Sequence, residues 1–292
     1  MFNEQHKKES PILGMLGLGG GIARAGGGLG PFVASGGTKT GPEGGYYFHE
    51  YTPATPSPQK VFTVTSGIAD ITVVLQGGGG AGGSGSYSKG GAAGGGGATG
   101  VWTITGVTVN THPITVGPAL SHPNGTGEGD AGGYSQISHP SAGYARAGGG
   151  AGGQPANGPG AGGAGGTNSD PWSAATITTN LSGANGGNGG SYPNGTAGGN
   201  SGGHPQPVSN PQPAALWWRL RLTNPGYPHA DPSVYPDIAT YGGKGGSPGA
   251  PDGGSGGVGQ FYGGGGAGGG NVVGAGGGTK GGMVVIRYPD AV

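Results

Sequence analysis

Five stretches of this chain, 77–99, 147–166, 183–203, 242–259 and 263–282, are built mostly of glycine, with alanine, serine and asparagine as the main interruptions. Glycine loses more conformational freedom on folding than any other residue and brings no side chain to bury. Such tracts are ordered through their backbone or not at all. Glycine supplies 82 of the 292 residues and proline another 25, where glycine ordinarily makes up about 7% of a chain. The apolar residues are too few and too clustered to build one continuous core, which argues against an ordinary globular enzyme. Charged disorder is also a poor description, because that class stays unfolded through high net charge as well as low hydrophobicity. Here only 8% of residues are charged, and 12 basic side chains balance 12 acidic ones. That balance leaves no electrostatic footprint for nucleic acid and no polybasic face for a membrane. The chain has no cysteine, which excludes disulfides, thiolate metal sites and a cysteine nucleophile.

The tracts themselves admit two readings. No strict Gly-X-Y period runs through them, so they are not collagen, and calcium-binding nonapeptide repeats would require tandem copies. They are either flexible linkers or polyglycine II, extended threefold helices lying side by side. An isolated helix of this type has no internal hydrogen bonds, so its backbone groups are free to bond neighbours. Burial of that backbone demands such pairing.

Between the tracts lie strand signals. Phe62 and Val64 alternate with threonines; Ile71, Val73 and Leu75 follow after Gly67. Trp102 and Ile104, Val107 and Val109, and Ile114 and Val116 continue the pattern, and Met283–Tyr288 ends it. β-branched and aromatic residues at period two, bounded by Gly and Pro, indicate strands. No window shows helical periodicity. The expected fold class is all-β: a small β-sandwich plus a glycine-rich, polyglycine II-like bundle. The first and last strands of residues 58–288 are expected to meet in one sheet.

Residues 1–45 read as a separate arm and 46–292 as the glycine-rich β domain. The arm carries a short apolar run with Ile12, Leu13, Met15 and Leu16. These four residues are candidates for docking on a partner protein; a floppy tail is the bland alternative. Ala23-Arg24-Ala25 resembles a signal-peptide cleavage site, but Glu9 and Pro11 interrupt the apolar region. The run is too short to span a membrane, which takes about 20 residues.

Residues 204–241 interrupt the domain with a segment nearly free of glycine. It concentrates large rigid groups: Trp217, Trp218, Arg219, Tyr227 and Tyr235. Aromatics and arginine are enriched at binding hot spots, so these five are the candidate partner contacts. The alternative is that Trp217 and Trp218 anchor the insert or form a subunit contact.

Val61-Phe62-Thr63-Val64, then Ile71-Thr72-Val73-Val74-Leu75-Gln76-Gly77-Gly78-Gly79-Gly80, resembles the opening of the glycine-rich domain of bacteriophage tail-fibre and other virion proteins. So do Pro113-Ile114-Thr115-Val116-Gly117, Gly132-Gly133-Tyr134-Ser135 and the ending Gly281-Gly282-Met283-Val284-Val285-Ile286-Arg287-Tyr288. The resemblance covers roughly residues 58–288. It implies a non-enzymatic virion protein on the particle surface, a tail fibre or fibre-tip adhesin binding the host cell, with a capsid fibre or decoration protein as the alternative. It further implies contacts with other virion proteins through residues 1–25, a host glycan or protein as receptor, and a homo-oligomer, by analogy a trimer.

Signals for chemistry are weak. Gly127, Gly129 and Gly132 form a G-x-G-x-x-G, but at this glycine content such a match arises by chance and no βαβ pattern surrounds it. The seven histidines are scattered and make no metal-ligand pair. His49-Glu50 is a lone neighbour pair, read as a feature of a sandwich edge. No catalytic, cofactor-binding or metal site is expected.

Overall fold

The computed structural model describes residues 30–57, 60–86, 89–121, 127–155, 160–189, 255–259, 262–269 and 274–290. Met1–Gly30 and Pro31–Val292 form two separate units, and the described strands all belong to the second.

Period-two alternation yields twelve strands among the described residues. They are β1 (Val33–Ser35), β2 (Thr38–Glu43), β3 (Tyr46–Tyr51), β4 (Val61–Ser66), β5 (Ala69–Gln76) and β6 (Thr99–Val107). β7 (Asn110–Thr115), β8 (Ser135–His139), β9 (Gly143–Ala147), β10 (Asn168–Ser169), β11 (Ala175–Leu181) and β12 (Met283–Pro289) follow. They pair antiparallel into two open sheets, β1-β4-β7-β8-β9-β10 and β11-β6-β5-β12-β3-β2. The fold is all-β, as the alternation predicts.

The sheets bury a shared core. Phe62 and Val64 of β4 face Ile71, Val73 and Leu75 of β5, Trp102 and Ile104 of β6, and Ile286 and Tyr288 of β12. Phe62 packs at 6.3 Å from Tyr288, and Phe32 meets Tyr288 edge-on at 4.8 Å. Alternate residues of the second sheet, Phe48, Val74, Val101, Met283 and Val285, form a smaller buried cluster on its other face, with Tyr46 and Tyr262 against it.

Two expectations need correction. The strands 61–66 and 283–289 do not share a sheet. β12 lies between β5 and β3, whereas β4 sits in the opposite sheet between β1 and β7. Gly67, with φ +80°, turns the chain after β4, so β4 and β5 part into different layers although they are adjacent in sequence. The boundary drawn at residue 45 also moves. β1 pairs with β4, and β2 and β3 form a hairpin on the sheet of β12, so residues 31–45 are part of the sandwich. Phe32 and Ala34 are buried in the shared core, and that burial ties the segment down.

The glycine tracts form the second region. Gly77, Gly80 and Gly83 donate to the carbonyls of Ala98, Gly95 and Ala92; Gly78, Ala81 and Ser84 donate to Gly133, Asp130 and Gly127; Gly82 and Gly85 donate to Gly277 and Gly274, all at 2.8–3.1 Å. Three successive residues therefore bond three different neighbours. This is the threefold repeat of polyglycine II, extended into a lattice. The returning tract repeats the pattern: Gly91, Gly94 and Gly97 bond Gly269, Gly266 and Gly263, while Ala92, Gly95 and Ala98 bond Gln154, Ala151 and Gly148. Residues 77–85 and 90–98 are buried throughout and form the centre of the bundle.

Close packing explains the composition. A Cβ built on Gly80 would fall on the carbonyl of Ala151, one on Gly94 on that of Gly80, and one on Gly265 on that of Gly94. On the outer tract 161–167 the larger residues recur every third position: Ala161, Ala164 and Thr167 are exposed, Gly163 and Gly166 buried. This edge is finished by side chains, since Asn188 and Asn185 accept the N–H groups of Gly162 and Gly165, each at 2.9 Å.

Topology gives the domain two distinct poles. Tract 77–85 continues β5 and tract 90–98 leads into β6; β7, β9 and β11 run out into tracts, and β8, β10 and β12 are entered from them. The bundle thus stands on one end of the sandwich. Val33 of β1 is opposite Ser66 and Pro289 of β12 is opposite Tyr46, so the chain enters and leaves this unit at the other end.

Candidate functional site

The residues nominated for partner contact, Trp217, Trp218, Arg219, Tyr227 and Tyr235, lie outside the described residues, as do Ile12, Leu13, Met15 and Leu16. The tracts flanking the insert are described. Gly189 donates to Gly160, and Gly256 donates to Ala275; both contacts lie at the end of the bundle remote from the sandwich. Gly189 and Gly256, which flank 190–254, therefore both lie at the distal pole. Gly85, Gly160 and Gly274 lie at the same pole.

Two of the three glycines in the G-x-G-x-x-G match have no N–H to offer an anion. Gly129 and Gly132 give their N–H groups to Gly153 and Gly150 at 2.8 Å, and Cβ positions there would fall on the carbonyls of Ala81 and Gly78. It is lattice, not a phosphate cradle.

His49 is not an edge residue. β3 lies one strand in from the edge, between β12 and β2, and His49 is fully buried on the core side. Its Nδ1 donates to Gly36 O at 2.6 Å, and Nε2 lies 3.3 Å from the Tyr288 hydroxyl. Burial pushes its pKa down to about 4, against the opposing pull of the Gly36 hydrogen bond. A neutral imidazole stacked on Tyr288 at 5.6 Å and edge-on to Phe62 at 5.2 Å is a core component.

A cleft of about 200 Å³ opens at the proximal pole, where three segments converge: Thr105–Thr108 at the end of β6, His139 and Ala142 at the end of β8 and just past it, and Trp172–Ala174 before β11. His112 of β7 forms its wall. His112 stacks on Trp172 at 5.7 Å with an interplanar angle of 21°, and the His139 ring lies 5.5 Å from His112 and 5.4 Å from Trp172. His112 Nδ1 faces the Ser138 carbonyl at 3.3 Å. A carbonyl only accepts, so Nδ1 carries the proton and Nε2 is left as an acceptor. That Nε2 is buried without a hydrogen-bond partner. Burial lowers the pKa of His112, more than the Ser138 bond raises it, which keeps it neutral.

His139 holds the opposite tautomer. Its Nδ1 accepts from the N–H groups of Ser141 and Ala142 at 3.2 and 3.0 Å, so its Nε2 carries the proton. Sequence reasoning missed this cluster because its members are far apart in the chain and none makes a local motif. The available signal was punctuation: His139-Pro140 ends β8 and Pro171-Trp172 leads into β11, while Pro113 follows His112 within β7.

Among the described residues no group of three His, Cys, Asp or Glu side chains could hold a metal ion, and no helix is long and apolar enough to cross a membrane. No curated protein matches the chain. A family model described as a glycine-rich domain matches residues 52–289, a span that takes in β4 to β12 and every described tract of the bundle. The chain belongs to this glycine-rich domain family.

Proposed function

We propose that the protein is a non-enzymatic structural component of a bacteriophage virion, a tail fibre or fibre tip that contacts the host cell surface. The observation that supports this reading is the polarity of the domain. Val33 and Pro289 lie at one pole, and Gly189 and Gly256, the described residues that flank the aromatic insert, lie at the other, across a bundle held by backbone hydrogen bonds. A projecting fibre requires separate ends for attachment and for recognition. Rigid scaffolds commonly carry their binding residues on connecting loops. In this reading residues 1–25 join another virion protein through Ile12, Leu13, Met15 and Leu16. Trp217, Trp218, Arg219, Tyr227 and Tyr235 meet a host glycan or protein, and the working unit is a homo-oligomer, a trimer by analogy with phage fibres. The alternative is an architectural virion protein without a receptor.

Replacing Trp217 and Trp218 by alanine tests the adhesin. Hot-spot aromatics are worth about 2 kcal/mol or more each, so adsorption to host cells is expected to fall more than tenfold while particle assembly and melting temperature hold. Failed assembly with normal adsorption of the surviving particles would favour the architectural role. Deleting residues 1–25 should leave a folded domain that no longer enters the particle; normal incorporation would remove the arm as anchor.

A further inference from the structure

We propose that Arg146, on the outer face of the first sheet, binds the carboxylate of an acidic sugar, a single uronic acid unit. Three observations carry this. First, the guanidinium is held in place with its outer nitrogens unused. Ala145 and Ala147 of β9 and Ile137 of β8 turn into the core, so alternation sends Arg146, Tyr144 and Gln136 to the other face. The guanidinium carbon of Arg146 lies 4.2 Å from the ring centre of Tyr134, just before β8, and 4.2 Å from that of Tyr144. Its Nε donates to Gln136 Oε1 at 2.8 Å, and Gln136 Nε2 donates in turn to Ser138 Oγ at 2.6 Å. Nη1 and Nη2 enter no hydrogen bond or ion pair among the described residues. Neither is one of the buried polar atoms left without a partner there, so both reach solvent. Arg287 of the second sheet is the contrasting case. It lies over the Tyr46 ring in the same way, at 4.3 Å, but gives Nη2 to Thr72 Oγ1 at 3.0 Å.

Second, the charge stands alone. In the six strands of the first sheet Arg146 is the only lysine, arginine, aspartate or glutamate. The carboxylate of Asp170, just past β10, accepts the Nε1–H of the buried Trp102. A guanidinium meets a carboxylate through two parallel N–H···O bonds, and one positive charge balances one negative charge. A phosphate dianion brings a second charge that no other cation of these strands meets.

Third, the surroundings suit a sugar ring attached to the carboxylate. Tyr134 is 41% exposed and sets an aromatic ring beside the guanidinium, where the C–H face of a pyranose can stack. Ser169, opposite Arg146 on β10, and Thr115, opposite Gln136 on β7, are exposed on the same face. Their hydroxyls donate and accept, as sugar hydroxyls do.

The site is independent of the virion reading, whose recognition residues belong to the insert 204–241. The test is a titration of the full chain with methyl β-glucuronide, methyl β-glucoside, acetate and inorganic phosphate. It is read at the guanidinium nitrogen resonances of Arg146 and, for the variants, at the resonances of the added compound. The glucuronide is expected to bind saturably and more tightly than acetate or phosphate, and the glucoside not to bind. Arg146→Lys keeps the charge but loses the fork, and should weaken glucuronide binding about tenfold, the factor of one hydrogen bond to a charged group. Ser169→Asp sets a carboxylate directly opposite Arg146 at an exposed position. It should occupy the guanidinium from within the sheet and abolish binding, and it decides the matter if Arg146→Lys does not fold. No saturable shift with the glucuronide, equal affinity for acetate or phosphate, equal binding of the glucoside, or native binding by Ser169→Asp would each overturn the proposal.

Discussion

The sandwich and the bundle are two regions of one folded unit held by different physics. In the sandwich, side chains do the work: Trp102, Ile71, Leu75 and Ile286 are fully buried between two sheets, and removing apolar surface from water is the main driving force. In the bundle there is almost nothing to remove from water, and neighbouring tracts are joined by backbone N–H···O bonds. The net gain from such a bond is modest, while glycine loses the most entropy on ordering. Tracts of this kind need help, and the topology supplies it, because most of them are tied to a sandwich strand. The contrast teaches that the two regions tolerate opposite changes. A hydrophobic core accepts a volume-conserving swap and suffers from a cavity. A glycine lattice has no cavity to suffer from, and the smallest addition disrupts it.

The largest effect that sharpens this contrast is expected in the core. Trp102→Ala removes a fully buried ring whose Nε1 donates to Asp170 at 3.2 Å, and should cost about 4 kcal/mol, read from denaturant unfolding. A loss below about 1 kcal/mol would mean that the sandwich does not carry the unit. Next, Gly80→Val in the central tract should cost about 3 kcal/mol, since its Cβ meets the Ala151 carbonyl and backbone must move. Gly127→Val, with open space around its Cβ, is the control. Equal tolerance at both sites would reduce the bundle to a linker.

Acid separates the regions a second way. The His49 pKa in the folded state is pushed down to about 4 by burial, below the roughly 6.5 of an exposed histidine. The unfolded chain therefore binds the proton more readily. The stability contributed by neutral His49 is complete above about pH 6.5 and is lost as pH falls from there towards 4, by about 3 kcal/mol in all. Melting temperature against pH should drop across that window in the native protein and flatten in His49→Gln; an unchanged slope would remove His49 from the account. The smallest effect belongs to the bundle edge. Asn185→Ala should cost about 1 kcal/mol and speed hydrogen exchange at Gly165, leaving Gly80 and Gly94 slow. Exchange at random-coil rates throughout 77–98 would break the comparison altogether.

Much of the sandwich was legible because period two is a local property. Phe62 with Val64, Ile71 with Val73 and Leu75, and Trp102 with Ile104 alternate in sequence and face inward in space. β3, with its run Tyr46-Tyr47-Phe48-His49-Glu50-Tyr51, and β11, with its threonines and Asn180, alternate less cleanly and were missed. The period-three spacing of Ala161, Ala164 and Thr167 is local to one tract, and no strict Gly-X-Y repeat extends it through the others. The His112–His139–Trp172 cleft was not legible, since three turns remote in sequence have to meet before it exists.

What the amino-acid sequence determined by itself is the kind of contact each segment can make. A residue without Cβ permits backbone to meet backbone, and an alternating strand demands a partner layer. These are properties of single residues and short spacings. Only the tertiary structure decided which segments meet: β4 and β12 in opposite sheets, β1 and β2 inside the sandwich, tract 77–85 bonded at once to 92–98, 127–133 and 274–277. The physical reason is that the tracts are chemically nearly identical, so local sequence cannot tell one glycine neighbour from another. Their registers and partners are imposed by the strands to which they are tied.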